Sequence, residues 1–534
     1  MAGLITNRFR ITNADNFYNI LSAANSSVGA SRVYLYIGKS GAYSNESAPT
    51  TPTDTVQSIR YDVYRDMIAM KRIQLSDITR ATFRYDWTSN TSYTQYDDTG
   101  TIFPTSTTVT SNTTYYVMTD QNNVYKCLDN NRGGRSTTKP TGTGTSIIST
   151  ADNYRWKFMY NITSASALKF MTTNYIPVST LSANDGSTQW TVQQAAANGA
   201  IHHIVISANG TGYLATSNTG FSTVTNSSVM VLKSNARSTD DIYTYSTLYL
   251  SSGLGSGQIR RIINYVGSTR TLTLNSGFTV TPNTSTAYII GPNVIISGDS
   301  GATSGYRASA YVSNCAGGQI RKITMISSGS AYSTANASIA ANTSYGTGAT
   351  IRPLISPPGG HGSNPIGELG GHRLMLSVRT TGLESNTFPG NNDFRTIGLL
   401  RNPVLRSGPV ANTSVIDQCM RLVVTSVSGD FTADENIVGG TSSARGKLIR
   451  FSNTNAARTA GVLRLNRITT TGTGGIFSVA ETVTGSVSGK TAVVSSVTRP
   501  AVREFTGDVI YTENRTKIVR ADDQIEDFKV LVKY

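Results

Sequence analysis

The stretch FTGDVIYTENRTKIVRADDQIEDFKVLVKY, residues 505–534, decides how the rest of the chain is read. Phe528, Val530, Val532 and Tyr534 fall on one face at period two and Lys529 and Lys533 on the other, the pattern of a half-buried strand. Val509 and Tyr511 alternate in the same way, and Asn514-Arg515 breaks the run as turn residues do. A strand placed last needs partners from earlier in the chain, yet the residues just before it read as a separate unit. The expectation is a core split along the sequence, with partner segments near 1–40, 113–178 and 371–404.

Composition sets the class. At 534 residues the chain exceeds the roughly 250–300 that one hydrophobic core supports, so several domains are expected. Only 14% of residues are charged and Tyr reaches 27, a balance that favours short strands and turns over long helices. The net charge is 46 − 31 = +15, but the basic residues are scattered singly. That favours a soluble surface meeting acidic neighbours over nucleic-acid binding. Cys127, Cys315 and Cys419 form no CxxC pair, which suggests neither a disulfide framework nor a zinc site. The opening MAGLITNRFRITNADNF has no apolar h-region and no run approaches a membrane span, so folding in a reducing cytosol is expected, with no membrane partner.

Residues 12–24 read as a short amphipathic helix through Phe17, Ile20, Leu21 and Ala24, capped by Thr12 or Asn13. Residues 31–38 read as a strand. Pro52-Thr53-Asp54-Thr55-Val56 starts a helix whose stripe is Ile59, Val63, Met67 and Met70. Residues 115–118 and 123–128 form a hairpin, and 152–160 a strand with Tyr154, Trp156, Phe158 and Tyr160 on one side, packed on a core or on a partner chain.

After Val178 the texture becomes Gly-, Ser-, Thr- and Asn-rich. Ile201-xx-Ile204-x-Ile206-Ser207-xx-Gly210-xx-Tyr213 returns as Ile320, Ile323, Met325-Ile326-Ser327, Gly329 and Tyr332, an offset of 320 − 201 = 119. Between the copies lies an evenly spaced meander. A second echo relates residues 431–439 to 477–485, an offset of 46, and suggests a duplicated β unit. The expected architecture is mainly β: a multi-domain β-sandwich core discontinuous in sequence, few short helices and two inserted all-β domains. The expected boundaries are core at 1–179, insert at 180–358, core at 359–409, duplicated insert at 410–500 and closing strands at 501–534.

Several pieces, in order along the chain, carry a resemblance. They are Leu4-Ile5-Thr6-Asn7-Arg8-Phe9-Arg10 with Asn16-Phe17-Tyr18-Asn19, Pro52 to Val56, Arg84-Tyr85-Asp86-Trp87 and Val124-Tyr125-Lys126-Cys127-Leu128-Asp129. Tyr154-Arg155-Trp156, Asn174-Tyr175-Ile176, Phe388-Pro389-Gly390-Asn391, Phe394-Arg395, Asn402-Pro403 and GDVIYTENR at 507–515 follow. Together they resemble the homodimeric baseplate wedge subunit of T-even-like contractile-tailed bacteriophages. They cover roughly residues 1–178, 366–408 and 503–534. The family member is much shorter and lacks the inserts, which look like the Gly/Thr-rich β modules of marine T-even-like phage structural proteins. The resemblance implies β-sandwich domains, no catalysis and a virion protein of the tail baseplate, synthesised in the host cytoplasm. Its implied partners are itself and other wedge subunits, rearranging when the sheath contracts.

The residues themselves offer little chemistry. His202-His203 would point to opposite faces of a strand, and His361 and His372 read as packing residues. Asp97-Asp98, Asp240-Asp241 and Asp522-Asp523 are turn acids, and Asp430, Asp434 and Glu435 lack the alternate oxygen spacing of a calcium loop. Gly253-x-Gly255-x-Gly257 precedes a strand and so is a turn. No catalytic, cofactor or metal residues are assigned. Candidate interface residues are Tyr85, Trp87, Tyr154, Trp156, Tyr511 and Arg515, chosen because aromatic and Arg side chains dominate partner surfaces. Core packing is the competing role for each. The alternative function is a receptor-binding or polysaccharide-degrading tail spike or fibre, and a DNA-contacting virion protein is a third.

Overall fold

The computed structural model describes residues 5–22, 31–100, 114–299, 307–340, 346–384, 387–469 and 476–534. The protein is mainly β and divides into two compact units, Met1–Ala81 with His372–Tyr534, and Thr82–Gly371.

Unit 1 is a β-sandwich assembled from both ends of the chain. Its five-stranded sheet runs Val415–Asp417, Met67–Arg72, Val33–Gly38, Asn392–Arg401, Asp508–Arg520. A second sheet places Arg373–Thr381 between Ile525–Lys533 and Ile78–Phe83. Leu35, Ile37, Phe394 and Leu399 from the first pack with Leu374, Leu376, Val378, Phe528 and Val530 from the second. The expected face of the last strand is therefore the core face, with Val532 and Tyr534 packed at its margin. Its partner is the strand Arg373–Thr381, in register from Arg373↔Lys533 to Thr381↔Ile525. Tyr36 and Gly398 are cross-strand partners, and a Cβ on Gly398 would lie 2.3 Å from the Tyr36 ring. Only glycine lets that ring lie across the sheet.

Several local expectations are corrected. Asn514-Arg515 is not a turn. The strand continues from Asp508 to Arg520, and residues 515–517 bulge opposite Arg395, since Thr396 pairs with Asn514 and Phe394 with Ile518. The turn lies at 521–524 instead. The first helix spans Asn7–Ser22, and the Thr6 hydroxyl caps it by accepting from Phe9 N–H. Thr12 sits inside that helix, bonded back to Arg8 C=O; Leu4 and Ala24 lie outside the described residues. The second helix spans Gln57–Asp66 and stops there, because Met67 and Met70 belong to the next strand and are buried on the sandwich. Of the 113–178 segment, Tyr175–Val178 joins the sheet of the last strand as its fourth member, beside Ile78–Phe83, and among the described residues none of it pairs directly with the closing strands.

Between Met420 and Thr498 unit 1 carries a closed six-stranded barrel, in order Met420–Thr425, Ala460–Thr469, Arg445–Asn453, Asn436–Gly439, Thr482–Gly485, Thr491–Thr498. The 46-residue echo is its internal two-fold: Val438 pairs with Thr484, its own equivalent. Each copy closes the other. Glu435 accepts from Val487 N–H and Ser488 N–H, both at 2.8 Å, and from Ser488 Oγ at 2.8 Å. Glu481 accepts from Thr441 N–H at 3.2 Å, Ser442 N–H at 2.9 Å and Ser442 Oγ. Adding 46 converts one set of donors into the other. The backbone N–H groups of these turns outweigh burial and lower both carboxyls from their usual value.

Unit 2 begins with an aromatic four-stranded sheet, Tyr116–Met118, Asn123–Asp129, Arg155–Asn161, Ile148–Ser149. The expected hairpin is present. Tyr154, Trp156 and Phe158 share one core, but an extra residue at Met159 interrupts the alternation and Tyr160 leaves that cluster. A seven-stranded sheet built on Thr247–Ser252, Ile259–Val266 and Thr271–Leu274 forms a separate core, with Gly253 to Gly257 as its first turn. The 119-residue echo is a second reciprocal pair. Tyr213 N–H donates to Gly318 C=O at 2.8 Å, and Tyr332 N–H donates to Gly199 C=O at 3.2 Å. Both tyrosines are buried in one core with Ile201, Ile204, Ile320 and Ile323. The compact division thus places 82–179 and 359–371 with the inserted strands, whereas the sequence boundaries grouped them with the terminal core. The cause is packing: Arg155 donates to His202 C=O at 2.7 Å and Lys126 reaches Glu368 at 2.8 Å.

Two outcomes are expected. Ala81 and Arg373 are cross-strand partners, so replacing 82–371 by a tight Asn-Gly-type turn converts their strands into a hairpin. The resulting protein should unfold cooperatively in urea; a non-cooperative transition would show that unit 1 is not self-sufficient. In the barrel, Glu435→Gln and Glu481→Gln each turn an amide N–H₂ toward backbone donors. Each should cost roughly 1–3 kcal/mol in denaturant unfolding, by similar amounts. A large asymmetry would contradict the reciprocal closure.

Candidate interaction site

The closing strand Asp508–Arg520 is an edge of its sheet, and two concavities border it. The first, about 570 Å³, lies between residues 507–512 and the segment carrying Pro52, Thr53, Asp54, Arg60, Val63 and Tyr64. Two sequence pieces far apart in the chain, PTDTV and GDVIYTENR, therefore line one cleft. Tyr64 holds it by donating from its hydroxyl to Gly507 C=O at 2.7 Å. Phe505 stands at the rim in the left-handed region, φ 62°, with Tyr61 edge-on at 4.8 Å and Arg65 over its ring at 5.8 Å. Phe505 is 43% exposed and Ile510 39%, and Val56, Ile59 and Tyr61 are also exposed. Of these Ile510 lines the cleft, and Phe505 packs on the lining Tyr64 at 5.8 Å.

Tyr511 lines this cleft and donates to Glu513 at 2.6 Å; burial, then the Glu513 carboxylate, raise its phenol pKa. Arg515 binds the other oxygen of Glu513 at 2.8 Å. It lines the second concavity, about 280 Å³, which opens between the two closing strands onto Phe394, Ile518, Phe528 and Val530. Tyr511 and Arg515 are thus joined through one carboxylate.

The other four candidates lie in unit 2. Tyr154 and Trp156 are fully buried and stacked, ring centroids 5.4 Å apart, so their shared face packs inside the protomer. Tyr85 is buried edge-on to Tyr116 at 5.1 Å. Trp87 is half-buried, and its indole N–H donates to Ser136 Oγ at 3.1 Å. For Tyr85, Tyr154 and Trp156, core packing is the role their burial assigns.

Sequence reasoning missed a buried polar knot in unit 2. Lys126, unexposed, reaches Glu368 Oε2 at 2.8 Å and His361 Nδ1 at 3.0 Å, and lies 4.2 Å from the Tyr96 ring. The second Glu368 oxygen accepts from Gly362 N–H at 2.8 Å and Asn364 N–H at 3.2 Å. One signal was available: Lys126 stands alone in NVYKCLD, a strand otherwise buried on both faces. His202 and His203 do point apart, toward His361 at 5.5 Å and toward Asp129 at 3.3 Å. Among the described residues no cluster of His, Cys, Asp and Glu has the arrangement of a metal site.

Burial, with Lys126 beside it, pushes His361 down to about 3, and burial likewise lowers His202 to about 4. Glu368 falls to about 2, because Lys126 and His361 outweigh the burial that opposes them. A histidine with a lowered folded pKa loses stability as pH falls below its unfolded value, whereas a lowered Glu loses it only below about 4.5. The window from 6.5 to 4.5 therefore belongs to the histidines. All three tryptophans, Trp87, Trp156 and Trp190, lie in unit 2, so indole fluorescence reports that unit alone. Unfolding followed by fluorescence should weaken by about 1.4 kcal/mol per pH unit for His361 in this window. His361→Gln should remove that share; an unchanged slope would refute it.

No protein-family model matches this chain, and no curated protein sequence is significantly similar to it.

Proposed function

We propose that this chain is a structural subunit of a phage tail baseplate wedge, a homodimer that joins other wedge subunits through protein–protein interfaces. In this reading it works in the virion without catalysing a reaction, and its joints to neighbours shift when the sheath contracts. The observation that carries the proposal is the cleft along residues 507–512. Two of the pieces behind the wedge resemblance line it, exposed Ile510 lines it, and exposed Phe505 packs edge-on to its Tyr64. Aromatic and aliphatic anchors around a pocket are what partner surfaces use, and the rigid sandwich behind them keeps that geometry fixed.

Purified protein should run as a dimer at micromolar concentration in light scattering, and Phe505→Glu with Ile510→Glu should raise its dissociation constant at least tenfold. It should also co-sediment with wedge subunits of a T-even-like phage. A wild-type monomer that ignores wedge subunits, or one that hydrolyses a polysaccharide, would overturn the reading.

A further inference from the structure

A cleft of about 520 Å³ in unit 2 lies where the aromatic sheet meets the strands of the 119-residue echo. Its floor is residues 203–206 of Ile201–Thr211 and residues 321–323 of Gln319–Ser327. These strands are clamped at both ends, by Ile201 N–H to Ser328 C=O at 2.8 Å and by Tyr213 N–H to Gly318 C=O at 2.8 Å. Between the clamps they belong to different sheets, and each is the outer strand of its own. Two sheet edges therefore meet along the cleft, with no backbone hydrogen bond between 203–206 and 321–323 among the described residues.

The charge around it is uneven in a way the net count hides. Arg132, Arg321 and Lys322 line the cleft and are exposed. Arg321 has no ion pair or hydrogen bond among the described residues, while Arg132 and Lys322 bond only to neutral amides, Asn209 at 2.8 Å and Asn153 at 3.1 Å. Of the two lining carboxylates, Asp97 is paired with a cation and Asp129 with neutral groups. Asp97 is held by Arg352 at 2.9 Å, and Asp129 by His203 at 3.3 Å and Asn131 N–H at 2.9 Å. Arg132, Arg321 and Lys322 thus outnumber the one carboxylate, Asp129, whose imidazole partner burial keeps below its usual pKa. Arg132 is also held at φ 60°, in the left-handed region, with Asn131 at 49° and Asn153 at 63° on the same rim. For Arg132 that conformation costs on the order of 1 kcal/mol, whereas asparagine adopts it readily.

We infer that this cleft binds an acidic, extended peptide segment of another protein, its carboxylates meeting Arg132, Arg321 and Lys322 and its backbone adding to a sheet edge. No Phe, Tyr or Trp lines the cleft among the described residues and the one ring there, His203, is turned to Asp129, so nucleobases and sugar rings find no broad stacking platform, and Asp97 and Asp129 disfavour a continuous polyphosphate. A peptide alternating Glu with neutral residues meets the cations singly and satisfies the edge. This goes beyond the wedge reading and holds or fails separately from it.

The test is fluorescence anisotropy with the full-length protein and a labelled alternating Glu–Thr octapeptide, against Ser–Thr and Lys–Thr octapeptides and oligothymidylate. The Glu–Thr peptide should bind at least tenfold tighter than the Ser–Thr peptide, and its affinity should fall as NaCl rises. Arg321→Glu with Lys322→Glu should weaken it at least tenfold while leaving tryptophan-monitored unfolding unchanged. Arg132→Gly should weaken it without lowering stability, since glycine accepts the backbone angle. Equal binding of Ser–Thr and Glu–Thr peptides, indifference to the charge reversal, or tighter binding of oligothymidylate would each overturn the assignment.

Discussion

The strand Arg373–Thr381 is the constraint on which unit 1 depends. It pairs on one side with Ile525–Lys533 and on the other with Ile78–Phe83, and its Leu374, Leu376 and Val378 lie in the sandwich core. The two ladders join residues 373 − 81 = 292 and 533 − 373 = 160 positions apart. No local segment can bury the core before both closures are made. Loop-closure entropy grows only logarithmically, so such separations are tolerable in stability but slow in folding. An interruption of this kind is cheapest where the interrupting chain leaves and returns at neighbouring points. The Ala81–Arg373 pair provides that.

The inserted material meets the same problem by duplication. In the barrel, Glu435 and Glu481 exchange turns, and in unit 2 Tyr213 and Tyr332 exchange backbone bonds with Gly318 and Gly199. Each copy alone leaves polar groups that only the other satisfies, so neither half is a stable unit and the pair becomes cooperative. Gly439 and Gly485 fit this closely: a Cβ on either would fall 2.6 Å from the opposite carboxylate.

Legibility in the sequence followed how local each cause was. The last strand, the 115–128 hairpin, the meander and both echoes were readable because period two and exact offsets are local signals. Asn514-Arg515 misled because turn-type residues also suit a bulge, and only the partner strand's Arg395 distinguishes the two. Thr12 looked like a cap because it precedes the apolar stripe, while Thr6 caps a turn that propensity alone did not reveal. Met67 and Met70 fit a helical stripe by spacing, yet burial on the sandwich overrides it. The boundary at Ala81 and the Lys126–Glu368 contact were invisible for the same reason: both join residues more than two hundred positions apart. Of the candidate residues, Tyr511 and Arg515 stayed at the surface because they sit on an edge strand, and Trp156 did not because its strand is central in its sheet, with Tyr154 stacked on it just before that strand begins.

Several arginines have structural roles that their scattered sequence positions concealed. Arg520, unexposed, donates to Glu526 at 2.9 Å and Pro389 C=O at 2.9 Å, and also to Gly382 C=O. Arg395, also buried, holds Glu46 at 2.8 Å. The barrel is tied to the sandwich by Arg450 to Asp522 at 2.5 Å, Arg464 to Asp417 at 3.1 Å and Arg467 to Asp66 at 2.7 Å. A guanidinium suits these places because its five donors satisfy carbonyls at strand ends as well as a carboxylate. Such pairs give little net stability but make mispairing costly, because breaking one strands a desolvated charge. Because each of these arginines is matched by a carboxylate, the excess of +15 rests on the remaining basic residues. A cation that meets a ligand must be one the fold has not already used, and Arg321 meets that condition.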